Sequence, residues 1–192
     1  MNDTRSRILE ATYELFCKHG AHVSLSQVSG ALGIKKQSLY NYFPNKDALI
    51  NEMLQLRAQD YFDELISYTV NNGNKSLYDF LKGFGHFCIE LNSESGLIYL
   101  RRWISVTVTN TSFPEIQNLI TELGMRYTDN LSKLYLKAKA NKEIKESTSA
   151  YHIQIYSITL RGIINEFIEL HSKKEAIELF DKFLDDYWKI IT

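Results

Sequence analysis

"VSLSQVSGALGIKKQSLYNYFPNKDALI", residues 23–50, is the stretch that decides the fold. Ser24 can cap a helix that carries Gln27 three residues on, the reciprocal arrangement of a capping box. Val23 and Val28 then occupy the two positions of a hydrophobic staple. The helix runs to about Leu32, because Gly33 can take the positive φ that a tight turn needs. A short helix over Lys36–Tyr42 follows. Leu39 and Phe43, four apart, anchor one face, and Ile34 in the turn plugs the same core. Pro44 interrupts. Asn45 is placed to cap a long helix that starts near Lys46 and Asp47 and continues to about Tyr68, before the polar break Asn71–Asn74.

Upstream, Ile8, Ala11, Leu15 and Phe16 recur at helical spacing, which predicts a helix from Asp3 or Thr4 to His19, closed by Gly20. Helix, short helix, three-residue turn and short helix is the outline of a helix-turn-helix unit. The second helix of such a unit lies in the DNA major groove with its first residues toward base edges. Here those residues are Lys36, Gln37 and Ser38, with Tyr40 and Asn41 on the exposed face. Gln and Asn can pair with adenine, and Lys can reach guanine acceptors. Lys35 belongs to the same basic run. Ser24 and Ser26 at one helix start, and Lys46 at another, suit phosphate oxygens. The residues alone leave a second reading open, in which Lys35 and Lys36 are solvated charges, the tyrosines are core and the unit serves dimerisation.

The run from Ile8 to Ile50 resembles the DNA-binding domain of the tetracycline-repressor (TetR) family of bacterial transcriptional regulators. The matching pieces are Ile8, Ala11, Leu15–Phe16, Gly20, Ser24, Val28, Leu32–Gly33–Ile34, Ser38–Leu39–Tyr40, Tyr42–Phe43, Lys46 and Leu49. Two positions vary mildly from the family pattern: Ser29 stands where Ala is usual, and Leu32 where Ala is often found. The resemblance implies that Ser24, Ser26, Tyr42 and Lys46 hold phosphates. It implies that Lys36, Gln37, Ser38, Tyr40 and Asn41 face bases or backbone.

Beyond this stretch the 192-residue chain is 44% hydrophobic and 23% charged, an ordinary globular composition with room for a core. Only two prolines and nine glycines favour long helices. Net charge is -1, but unevenly spread: residues 1–50 carry six Lys and Arg against four Asp and Glu, and residues 51–192 carry 16 against 19. The N-terminus lacks the pattern of a signal peptide and no apolar run is long enough to span a bilayer, so a cytoplasmic protein is expected. An all-α fold of about nine helices follows. Residues 1–46 are read as a DNA-binding domain and 47–192 as a helical ligand-binding and dimerisation domain. Expected helices cover Lys75–Leu91, Gly96–Val108, a stretch from a Ser112–Glu115 capping box to Ala140, Ser149–His171 and Lys174–Ile190.

The resemblance implies a C-terminal domain that binds a small molecule and pairs two subunits. Candidates to line a pocket are Phe80, Phe84, Phe87, Tyr99, Trp103, Tyr127 and Tyr156, with Arg101, Arg102 and His86 available to an anionic ligand. Candidates for the dimer stripe are Ile155, Ile158, Thr159, Gly162, Ile163 and Phe167. Gly162 in mid-helix costs about 1 kcal/mol against Ala unless something approaches it closely. The partners implied are double-stranded operator DNA, a small-molecule effector of unknown identity and a second copy of the chain, with no membrane. No metal and no cofactor is implied.

Other classes are weaker. The five histidines are scattered and no HExxH, GxSxG, P-loop or GxGxxG pattern occurs, which argues against an enzyme. Cys17 and Cys88 fall at or beside apolar helical positions, where inert thiols are usual, which argues against a thiol sensor. A DNA-binding protein without an effector, architectural or controlled by a partner, is the remaining alternative.

Overall fold

The computed structural model describes residues 4–93, 114–170 and 172–192, without the side chains of 21 and 167–170. The described residues form eight α-helices: α1 Thr4–His19, α2 Leu25–Leu32, α3 Lys36–Leu39, α4 Lys46–Asn72, α5 Leu77–Ser93, α6 Pro114–Ala140, α7 Ala150–Leu170 and α8 Lys173–Ile191. The fold is all-α, as expected. The helix expected over Gly96–Val108 and the cap expected at Ser112 lie outside the described residues. Helix α4 runs past its expected end at Tyr68. Asn72 Nδ2 donates to the Tyr68 carbonyl (3.0 Å) and Asn71 Nδ2 to Ser67 Oγ (3.2 Å), so these asparagines close onto the helix.

The chain divides into two compact units. In the first, residues 4–61 and 114–122, a single core gathers Ile8, Leu9 and Phe16 of α1, Val23 and Val28 around α2, and Leu39 of α3. Phe43, the first turns of α4 (Leu49, Ile50, Met53, Leu54) and Ile116 of α6 complete it. The expected boundary at 46/47 therefore falls inside this unit, and the division comes between Tyr61 and Phe62. The apolar residues opening α4 are needed to cover the three small helices, which cannot bury enough surface alone.

Two ion pairs set α4 against α1. Arg5 of α1 meets Glu52 of α4, and Glu10 of α1 meets Arg57 of α4, both 47 residues apart, so the helices run parallel here. Arg57 also lies 4.3 Å from the centroid of the Tyr13 ring.

In the second unit, residues 62–93 and 123–192, α5, α7 and α8 pack on one another with the C-terminal part of α6. Helix α5 is buried along Leu77, Phe80, Leu81, Phe84, Gly85, Cys88 and Ile89. Its first amide, Leu77 N–H, donates to Glu143 Oε2 at 2.8 Å, an acidic partner at the positive end of the helix. Among the described residues the buried polar side-chain atoms of this unit are paired. Tyr156 O–H donates to the Leu81 carbonyl at 2.8 Å, tying α7 to α5. Tyr187 O–H donates to the His152 carbonyl (2.9 Å) and accepts from Tyr135 O–H (2.8 Å), tying α6, α8 and α7 together. Burial raises the phenol pKa of both: Tyr135 lies well above the usual value of 10, and Tyr187 is pushed up to about 12.

Candidate nucleic-acid interface

The site begins with the start of α2. Ser24 Oγ accepts from Gln27 N–H (3.2 Å), and Gln27 Oε1 accepts from Ser24 N–H (2.8 Å), the capping box expected from the sequence. At the other end Gly33 has φ 65° and ψ 27°, the left-handed conformation. Ile34 N–H reaches back to the Ser29 carbonyl (3.0 Å) and Gly33 N–H to that of Gly30 (3.2 Å), which is a Schellman closure. Val23 and Val28, the staple pair, are both 1% exposed. Ser29, the departure from the family's alanine, is buried, and its hydroxyl donates to the Ser26 carbonyl at 3.1 Å. The extra oxygen is thus satisfied within its own helix.

With α2 and the turn fixed, α3 presents two faces. Leu39 is buried, while Lys35, Lys36, Gln37, Tyr40 and Asn41 are exposed and Ser38 is half-buried. Tyr40 is 42% exposed, which places its ring outside the core. Regular helix ends at Leu39, earlier than the expected Tyr42. The next residues still turn: Tyr42 and Phe43 N–H both donate to the Leu39 carbonyl, at 3.0 and 2.9 Å. Tyr42 is half-buried against the core. Asn45 Oδ1 accepts from Ala48 N–H at 2.8 Å, so α4 opens on the expected asparagine cap, with half-buried Lys46 as its first residue. Ser24 and Ser26 are exposed.

Arg5 was not singled out from the sequence. Its Nη1 donates to the Tyr42 carbonyl at 3.1 Å and its Nε to Glu52 Oε1 at 2.7 Å, with Nη2 on the other carboxylate oxygen. Its guanidinium also lies 4.6 Å from the centroid of the Phe43 ring. No local pattern signals a pair 47 residues apart.

The pocket candidates are placed as follows. Phe80, Phe84 and Tyr156 are at most 1% exposed. Phe84 stacks on Tyr127 (5.7 Å between centroids), and Tyr68 stacks on Phe87 (4.6 Å) and meets Phe84 edge-on (5.5 Å). These rings fill the second unit. Tyr99, Trp103, Arg101 and Arg102 lie outside the described residues. His86 is within 2.7 Å of Asp181 Oδ1. Of the dimer candidates, Ile158 is 58% exposed, and Gly162 is exposed with open space where a β-carbon would stand, no atom of the described residues beyond its own helix backbone being within 4 Å of that point. Ile155 and Thr159 are half-buried. Ile163 is buried, at 5% exposure. The side chain of Phe167 lies outside the described residues.

This head has a buried apolar side and an outward side rich in bases, amides and hydroxyls, the build of a DNA-binding helix-turn-helix. Residues 8–53 match the model for "Bacterial regulatory proteins, tetR family". It is 22% identical over 137 residues to the biofilm operon icaADBC HTH-type negative transcriptional regulator IcaR of Staphylococcus aureus, covering 70% of this chain and 71% of that one. Among solved structures, Escherichia coli NemR in its reduced form is similar with a TM-score of 0.74 at 20% identity, over 99% of this chain and 98% of that one. FadR of Bacillus subtilis, solved in complex with stearoyl-CoA, is similar with a TM-score of 0.69 at 17% identity, over 97% and 98%. Likeness at these identities establishes the shared fold. Among the described residues no helix is long and apolar enough to cross a membrane, and no cluster of His, Cys, Asp and Glu could hold a metal ion.

Proposed function

We propose that the chain is a cytoplasmic repressor that binds a two-fold operator as a homodimer and is released by a small molecule. The observation that carries the DNA reading is the outward set Lys35, Lys36, Gln37, Tyr40 and Asn41, held over a core anchored by Leu39. In this reading Ser24, Ser26, Tyr42 and Lys46 hold phosphates, and Lys36, Gln37, Ser38, Tyr40 and Asn41 face bases or backbone. Exposed Ile158 and open Gly162 on α7 support pairing through that helix. The effector acts by preferring a conformation in which the paired recognition helices no longer match the operator, and its affinity difference between the two states sets the release. The negative regulator IcaR and the acyl-CoA-bound FadR support the sign and the kind of control.

A second reading, DNA binding without a small-molecule effector, is supported by the ring-on-ring packing of Phe80, Phe84 and Tyr127, which uses pocket candidates as core. The test is selection of genomic DNA fragments by the purified protein at near-physiological salt, where phosphate contacts alone do not dominate. Enrichment of a two-fold site is expected. Absence of any enriched site, with a protein shown to carry no bound small molecule, overturns the repressor reading.

A further inference from the structure

Resting on the DNA-binding reading, we infer that Arg5 is a positioning residue for the operator contact, holding the Tyr42–Lys46 turn to α4 through Glu52. Four observations converge on one guanidinium. It donates to the Tyr42 carbonyl at 3.1 Å, it grips both oxygens of Glu52, and it lies 4.6 Å from the centre of the Phe43 ring. The Tyr42 carbonyl lies just beyond α3, where a helix leaves acceptors unpaired and favours a cation. Both phosphate candidates of this turn are adjacent. Tyr42 supplies the carbonyl that Arg5 holds, and Lys46 opens the helix that carries Glu52.

Arginine is specific to this task. Its planar fork serves the carboxylate and the carbonyl at once while stacking on a ring, whereas an ammonium on the same charge cannot do all three. The neighbouring pair Glu10–Arg57 joins the same two helices and leaves Tyr42 untouched, so it is an internal control.

Glu52 makes the sign of the test decisive. Removing a carboxylate from a DNA-binding head strengthens attraction to any phosphate backbone. Loss of a positioning partner weakens the specific complex instead. The experiment measures operator affinity against salt for the wild type, Arg5→Lys, Arg5→Gln, Glu52→Gln and Glu10→Gln, with hydrogen exchange of the Phe43 amide, which is bonded to the Leu39 carbonyl. Arg5→Lys and Glu52→Gln are expected to lose about tenfold in operator affinity, the size of one spoiled base contact, with the salt slope unchanged and Phe43 exchanging faster. Glu10→Gln, which removes a carboxylate without touching the turn, binds at least as tightly as the wild type and keeps its Phe43 exchange. Equal or tighter binding by Glu52→Gln overturns the inference. So does a salt slope reduced by about one in a charge-removing variant, Arg5→Gln, which marks Arg5 as a phosphate contact itself. If the wild type selects no DNA at all, the functional proposal fails, and the exchange arm still decides: protection of Phe43 unaltered in Arg5→Lys overturns the positioning role, and protection lost upholds it.

Discussion

Gly85 lies so close to Phe180 that a methyl group at position 85 would fall well inside van der Waals contact with the ring. The glycine lets α5 and α8 approach, and the ring fills the space a side chain would take. Phe180 is wholly buried, so it has nowhere to retreat.

Gly85→Ala is therefore expected to destabilise the chain by about 1–3 kcal/mol, the usual cost of overpacking. Alanine in a helix is otherwise favoured over glycine, so the sign itself is informative. Urea unfolding measures it, and a variant as stable as the wild type would mean that α5 and α8 pack less tightly than this contact implies.

Gly162→Ala should behave in the opposite way. Among the described residues no atom beyond the helix's own backbone stands within 4 Å of the added carbon, so the isolated chain gains up to about 1 kcal/mol of helix propensity. If a second copy crosses α7 here, the same methyl weakens the dimer. Sedimentation at graded concentrations reads this, and unchanged self-association would remove Gly162 from the proposed interface.

Lys46→Ala and Tyr42→Ala are expected to weaken binding to every DNA sequence, with Lys46→Ala lowering the salt slope by about one. Gln37→Ala should instead flatten base preference at one position of each half-site. An unchanged preference profile from a randomised-site selection would take Gln37 out of the reading set.

The tyrosine chain predicts alkaline sensitivity. The unfolded phenol loses its proton near pH 10, whereas Tyr187 in the fold holds it to about 12 and Tyr135 is also raised. Between those values the folded state binds more protons than the unfolded state, so stability falls as pH rises. The tyrosine contribution should be flat below about 10. Denaturation midpoints across this range check it, and Tyr135→Phe should shallow the decline.

Thiol labelling separates regulation by ligand from regulation by oxidation. Burial raises the Cys17 thiol, and Cys88 is 4% exposed. Both should react far more slowly in the native protein than in urea. Fast native labelling of either would bring redox control back into consideration.

The head was legible because its signals are local. Ser24, Gln27, Gly33 and Asn45 act on amides and carbonyls within five residues of themselves, and the structure shows each one in place. Arg5 acts on residues 37 and 47 positions away, and its partners cannot be read from spacing. Tyr40 was ambiguous for a different reason: at the end of a one-turn helix the periodicity is too short to assign a face. In the second unit, aromatic residues at helical spacing serve core and pocket equally well as a pattern. Only the ring contacts of Phe84 with Tyr68 and Tyr127 show how the described ones are used.

The two arginine–glutamate pairs joining α1 and α4 place their charges in reversed order, Arg5 then Glu10 on one helix and Glu52 then Arg57 on the other. Had both arginines stood on α1, a slip by one contact spacing would have found another attractive partner. With the order reversed, a slip in one direction brings Arg5 beside Arg57, and in the other Glu10 beside Glu52. The helix pair thus carries a key that fits one register and repels its neighbours, so α4 is discouraged from sliding along α1 even where apolar packing alone would tolerate it.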